Sequence, residues 1–247
     1  MRIFLILFFL PLLSFAQLNL VDKNGKKQGA WKKMYPDGKT IQYEGQFKDD
    51  KPVGKFIYYS PSGKLNAEIL HLSSEKSRAV FYHDNGQIMS EGMFRNKLKD
   101  SLWYNYSKLG ELSSIEPYKF NKLNGIKIIF YLEGQQDNKP KILRKESYKD
   151  SLLNGPYESF FTDGKLKQKG SYSVGVPSGT WEDYSVKGMV IKRYTYKNGV
   201  LHGWVYQFDD KGVEINKRFF KNGLLLKEKE LEIFLKECEQ KGIDPEN

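Results

Sequence analysis

Cysteine is almost absent from this sequence. Cys238 stands alone among 247 residues, so no intramolecular disulfide can staple the fold, and stability must come from packing and strand pairing. Histidine is nearly as scarce, with His71, His83 and His202 the full set. No His-Glu-x-x-His pattern, paired-cysteine spacing or calcium loop occurs, so no metal site is expected. No Gly-x-Ser-x-Gly elbow and no phosphate-loop pattern occurs either, so no catalytic residue and no cofactor site is expected. Long apolar runs are confined to the first thirteen residues, short of the roughly 20 that a membrane-spanning helix needs.

That first run has the layout of a secretory signal. Met1-Arg2 is a short positive start, Ile3 to Leu13 is apolar, and Ser14-Phe15-Ala16 offers small residues at the two positions that a signal peptidase reads. The expected organisation is a signal peptide over 1–16, a repeat array over 17–226, and a C-terminal helix and tail over 227–247. The mature chain would begin at Gln17 and be secreted or periplasmic, in a bacterial setting, with no transmembrane segment. The formal net charge is +10. Such a balance attracts anionic lipid, acidic glycan or nucleic acid. Here lysines are spread through the turns (Lys39, Lys64, Lys165, Lys197, Lys221), where they blunt exposed strand edges, and export argues against nucleic acid.

What the sequence has in plenty is aromatic residues, at 15%, and glycine, at 22 residues. This composition favours strands and turns. Aligning Gly38, Gly63, Gly86, Gly110, Gly134, Gly164, Gly188 and Gly212 gives spacings of 25, 23, 24, 24, 30, 24 and 24 residues. A near-constant period of this length marks a repeat array. The long step is a polar insertion, Gln135 to Lys141, read as one lengthened hairpin loop. Seven residues before the turn glycine stands a large residue (Trp31, Phe56, Trp103, Tyr157, Trp181, Val205), with Ala79 and Lys127 departing. Two residues earlier is usually glycine: Gly29, Gly54, Gly125, Gly155, Gly179, Gly203. Four before the turn comes Met34, Tyr59, Tyr82, Tyr106, Phe130, Phe160, Tyr184 or Phe208, apolar or aromatic in every copy.

Each copy therefore reads as a β-hairpin whose Asp-Gly or Asn-Gly turn supplies positive φ. The opening glycines, lacking Cβ, are expected to let one strand lie close under a neighbouring ring. The two leading aromatics of a copy are three apart, which places them on opposite faces of a regular strand. Either the sheet is clad on both faces or a bulge lies between them. Single hairpins are marginal in water, and stacking copies buries a continuous stripe.

The pattern Gly-x-Trp-x-x-Tyr, Asp-Gly-Lys, then Glu-Gly-x-Phe resembles the MORN repeat, and more narrowly the bacterial variant of antitoxin-like MORN-repeat proteins. Gly29, Trp31, Asp37-Gly38-Lys39 and Glu44-Gly45-Gln46-Phe47 carry the resemblance, and Asp163-Gly164-Lys165 with Gly170-Ser171-Tyr172 repeats it. The resemblance implies an all-β fold: an elongated array of about eight antiparallel hairpins forming a twisted sheet. It also implies lipid binding or protein scaffolding.

After Gly223 the repeat stops. Lys227 to Lys241 has helical periodicity, with Leu231, Phe234, Leu235 and Cys238 on one stripe, and Gly242 and Pro245 end it. A short amphipathic helix here would cover the last strand. Asp49-Asp50, Asp209-Asp210, Ser62-Gly63 and Ser178-Gly179 fall at turns and strand starts, and Cys238 reads as a packed thiol. The functional expectation is a non-enzymatic scaffold for an envelope protein. The alternatives are a peripheral module for anionic lipid or glycan, and an antitoxin-like protein that neutralises a partner.

Overall fold

The structure is a computed structural model that describes residues 17–132 and 139–246. The expected signal segment, 1–16, lies outside the described residues, as do Gly134 and residues 135–138 of the polar insertion. The chain divides into two compact units, residues 1–74 and 75–247. The first contains β1 (Leu20–Val21), β2 (Lys27–Met34), β3 (Ile41–Lys48), β4 (Lys51–Tyr59) and β5 (Leu65–His71). These strands pair antiparallel in chain order.

The second unit continues with β6 (Lys76–Tyr82), β7 (Ile88–Arg95), β8 (Leu98–Tyr106), β9 (Leu112–Lys119), β10 (Lys122–Leu123), β11 (Gly125–Phe130) and β12 (Ile142–Lys149). It goes on through β13 (Leu152–Phe160), β14 (Leu166–Ser173), β15 (Val176–Tyr184), β16 (Val190–Lys197), β17 (Val200–Leu201), β18 (Gly203–Phe208), β19 (Glu214–Lys221) and β20 (Leu224–Leu225). The helix α1 (Glu228–Lys241) follows. From β7 onward each strand again pairs antiparallel with its predecessor, except that β11 and β18 continue the short β10 and β17 after interruptions at Asn124 and His202 and pair with β9 and β16. The fold is all-β and built of hairpins, as the period predicts.

The hairpin turns follow one rule. At Gly164, φ is +87° and the amide donates to Phe161 O at 2.9 Å, and the other described turn glycines repeat this geometry. Within each unit copies are joined by two-residue turns with both central residues at positive φ, as in Asp49-Asp50, Asn96-Lys97 and Asn198-Gly199. That is the turn whose twist matches antiparallel strands.

Between copies the strands bulge. Glu44 pairs with Ile57 and Gln46 with Val53, so Gly54, Lys55 and Phe56 all face the single residue Gly45. The same count holds for Ser101 to Trp103 against Gly92 and for Gly179 to Trp181 against Gly170. The bulge turns each large ring onto a bare backbone. A Cβ on Gly45 would meet the Phe56 ring at 2.6 Å, one on Gly92 the Trp103 indole at 2.4 Å, and one on Gly170 the Trp181 indole at 2.1 Å. This corrects the expectation for the opening glycines. Gly29 and Gly54 have nothing within 4 Å of a built Cβ, and φ is +68° at both. They bend the strand, and the ring rests instead on the glycine of the preceding copy's second strand. Ser101 takes the same bend at φ +63°.

Both sheet faces carry aromatics. Phe56 and Tyr58 share one face, with ring centroids 6.2 Å apart, while Tyr59 points to the other, where its hydroxyl donates to Glu44 Oε1 at 2.9 Å. In each unit the large-ring face holds most of the core: Phe56 and Trp103 are 2% exposed or less, and Trp181, Tyr194 and Val205 pack together, while the fully buried Phe219 sits opposite Trp204 on the other face. Ala79, one of the two departures, is fully buried, and Trp103 takes up its space against Phe81 at 6.2 Å. At the C-terminal end α1 lays Phe234 against Phe219 at 5.5 Å and buries Cys238. Its stripe is the one expected from periodicity, closed by Gly242 at φ +62°.

Candidate functional site

The second departure, Lys127, opens the site. In the column where rings and glycines alternate elsewhere, Trp103 pairs with Glu116, and Lys127 pairs with Glu146. Lys127 Nζ lies 2.8 Å from Glu116 Oε1. Glu116 also accepts from the Tyr118 hydroxyl at 3.0 Å, and Glu146 from the Tyr148 hydroxyl at 3.0 Å. Glu146 is 7% exposed. An ionic column thus replaces the aromatic one across β9, β11 and β12. Burial raises the Glu116 carboxyl, but hydrogen bonds from Lys127, Tyr118 and Asn105 outweigh it and leave the pKa below its ordinary value. Burial and the adjacent carboxylates push Tyr118 and Tyr148 up to about 12.

One step along the strands runs a row of cross-strand neighbours: Arg144, Ser159, Gln168 and Asp183, supplied by β12, β13, β14 and β15. These four floor a groove of about 520 Å³, with Leu143, Tyr157, Phe161, Lys167, Tyr184 and Ile191 completing its lining. Arg144 Nε lies 2.8 Å from Glu146 Oε1, an ion pair whose angle does not make a hydrogen bond. Among the described residues its guanidinium therefore donates no hydrogen bond, an unusual state for a group with five donors. Asp183 is held from the floor, its Oδ1 accepting from Gln168 Nε2 at 2.8 Å and from the Tyr194 hydroxyl at 3.1 Å. Gln168 Nε2 also reaches the Tyr194 oxygen at 3.1 Å. The groove offers a fixed cation, a fixed carboxylate and aromatic surface, but no nucleophile beside a base.

The residues singled out in the sequence lie elsewhere. His71 stacks edge-on against Phe56 at 5.2 Å, with Nε2 buried and unpartnered and its pKa lowered by burial. His83 Nε2 sits 3.0 Å from Tyr106 O. His202 accepts the Asn222 amide on Nδ1 at 3.3 Å, and it lines a cleft of about 320 Å³ with Cys238 under α1, without a hydrogen bond between the two. Asp50 Oδ1 accepts the Lys27 amide at 2.8 Å, and Asp209 Oδ1 the Lys211 and Val213 amides at 2.8 and 2.9 Å, so both are turn carboxylates. Ser62 Oγ is 2.8 Å from Ser60 Oγ, and Ser178 O accepts the Ser171 hydroxyl at 2.8 Å. Among the described residues no three potential metal ligands cluster, and no helix is long and apolar enough to cross a membrane.

Glu116, Arg144 and Glu146 escaped the sequence reading. A signal for one of them was present: six residues past the turn the column reads Gly92 and Gly170 in other copies but Glu116 in the fourth, beside the Lys127 departure of the fifth.

Three segments, residues 52–72, 78–96 and 153–173, match the family model described as MORN repeat variant. They fall on the hairpins β4–β5, β6–β7 and β13–β14. No curated protein matches the chain. Among solved structures, similarity is found to a mutant of S. aureus TarM crystallised with fondaparinux, alpha-GlcNAc-glycerol and UDP, at 18% identity over 56% of this chain, with a TM-score of 0.25. The match spans 21% of that protein's length, and it carries no argument here.

Proposed function

We propose that this chain, an array of MORN repeats of the variant type, is an exported, non-enzymatic scaffold that holds a protein partner in the bacterial envelope. Repeats of this type commonly serve as binding and scaffold modules. The observation that carries the reading is the groove over β12 to β15. It presents a guanidinium without a hydrogen bond and a fixed carboxylate between aromatic side chains, and it has none of the paired groups that acyl, phosphoryl or glycosyl transfer needs. Export rests on the Met1–Ala16 segment.

The test is in-cell cross-linking of the tagged full-length chain, followed by mass spectrometry of captured proteins and of the mature N-terminus. Repeated capture of one envelope protein, with Gln17 as the first residue, is the expected result. Capture of cytoplasmic proteins alone would replace export with the antitoxin-like reading. A second reading, a module for anionic lipid or glycan, is favoured by the +10 net charge. It requires flotation with anionic liposomes, or glycan retention, that weakens with salt.

A further inference from the structure

We infer that the groove over β12 to β15 takes an extended acidic peptide segment. Its carboxylate side chain lands on Arg144, and a cationic or amide side chain about four residues away lands on Asp183. This rests on the scaffold reading and names the chemistry of the partner.

The argument starts from Arg144. Glu146 holds its Nε side at 2.8 Å, so the guanidinium is aimed before any ligand arrives, and its two terminal nitrogens donate no hydrogen bond to the described residues. A planar fork in that state suits a carboxylate, which it grips through two parallel hydrogen bonds. Lys167, with its ammonium 5.8 Å from the Phe161 ring centroid, adds a second cation to the lining. At the other end Asp183 accepts both of its hydrogen bonds on Oδ1, which leaves Oδ2 for a donor from the ligand.

Arg144 and Asp183 stand on β12 and β15, three strand spacings apart, or roughly 14 Å at about 4.8 Å per spacing. An extended peptide covers that span in about four residues at roughly 3.3 Å each. The two ends have opposite charge, which discriminates between ligand classes. A phosphate group or a polyuronate would meet Asp183 as a like charge, whereas a peptide can present an acid and a donor at the right interval. Tyr157 and Phe161 give apolar surface for the side chains between them.

The test uses fluorescein-labelled hexapeptides carrying a glutamate four residues before a lysine, and the same peptides with glutamine for glutamate, in both chain directions. Anisotropy is measured against the full mature chain and against Arg144→Gln, Arg144→Lys and Asp183→Asn. The acidic peptide should bind about tenfold more tightly than its glutamine version, and Arg144→Gln should abolish that preference while Arg144→Lys keeps part of it. Asp183→Asn should weaken binding of the glutamate and glutamine peptides alike, because both carry the lysine. Hydrogen exchange of β12 and β13 serves as the folding control for each variant. Equal binding of the two peptides, no binding of either, an unchanged Arg144→Gln, or Arg144-dependent binding of an oligogalacturonate instead would each overturn the proposal. If Arg144→Gln still captures the wild-type partner in cells, the groove fails while the scaffold stands. If the wild type captures nothing, both fail.

Discussion

The Trp181 indole lies directly on the backbone of Gly170, so close that a methyl group there would sit 2.1 Å from the ring. Gly170→Ala should therefore destabilise the second unit by about 3 kcal/mol, the upper range for overpacking a tight core. Gly179→Ala tests the contrast. Its φ of +69° penalises a side chain, but the nearest atom to a built Cβ is Ser171 Oγ at 3.8 Å. The expected cost is about 1 kcal/mol, from the left-handed backbone alone. In a Trp181→Ala background Gly170→Ala should add almost nothing, because the clash is gone. Denaturant titration with hydrogen exchange of β14 and β15 checks all three. Equal costs at Gly170 and Gly179 would contradict the packing account.

Val174 occupies the first position of the two-residue turn between β14 and β15 at φ +49°. A β-branched residue rarely adopts this conformation, and its side chain is 69% exposed, so packing does not compensate. The equivalent turns carry Asn198-Gly199 and Asn222-Gly223. Val174→Asn should stabilise the hairpin junction by about 1 kcal/mol, seen as slower amide exchange at Ser173 and Val176. A loss of protection would mean that Val174 is held by a contact in solution.

The repeat period was enough to place the hairpins, because turn glycines and aromatic columns recur independently of anything distant in the chain. The same columns named Lys127 and Ala79 as departures. They did not reveal which glycine lies beneath a ring. That depends on the bulge that sets Gly179, Thr180 and Trp181 against Gly170, and a register shift between neighbouring copies leaves no trace in a single copy's spacing. The groove was illegible for a related reason. Arg144, Ser159, Gln168 and Asp183 are adjacent only through strand pairing, and each alone resembles an ordinary polar residue at a strand end.

Acid should weaken one cross-strand ion cluster selectively. Burial raises the Glu182 carboxyl, but hydrogen bonds from Tyr184, Lys169 and Arg193 outweigh it and hold the pKa at about 2, against an ordinary 4.5. A folded pKa below the unfolded one means that the unfolded chain binds the proton first. The stabilisation is thus complete above about 4.5 and is lost as pH falls through about 2. Glu182→Gln should lower stability at neutral pH and flatten its decline between those values, measured by urea titration across the acid range. An unchanged slope would assign acid sensitivity to other carboxylates.

Lys127 decides whether the ionic column is a structural necessity or a site-forming feature. Removing the ammonium with Lys127→Met leaves Glu116 and Glu146 facing a side chain without charge, and breaking a largely buried pair in this way costs about 3 kcal/mol. Replacing the column together, as Glu116→Gly, Lys127→Phe and Glu146→Gly, restores the ring-and-glycine pattern that Gly92, Trp103, Tyr157 and Gly170 already use. Because buried ion pairs are often no more stabilising than packed apolar groups, the triple variant should regain most of what the single one loses. It would also strip Arg144 of its Glu146 partner and free the guanidinium to move. Full stability in the triple variant together with weakened acidic-peptide binding would show that the column serves the groove. Instability in the triple variant would show that these copies need their charges to fold.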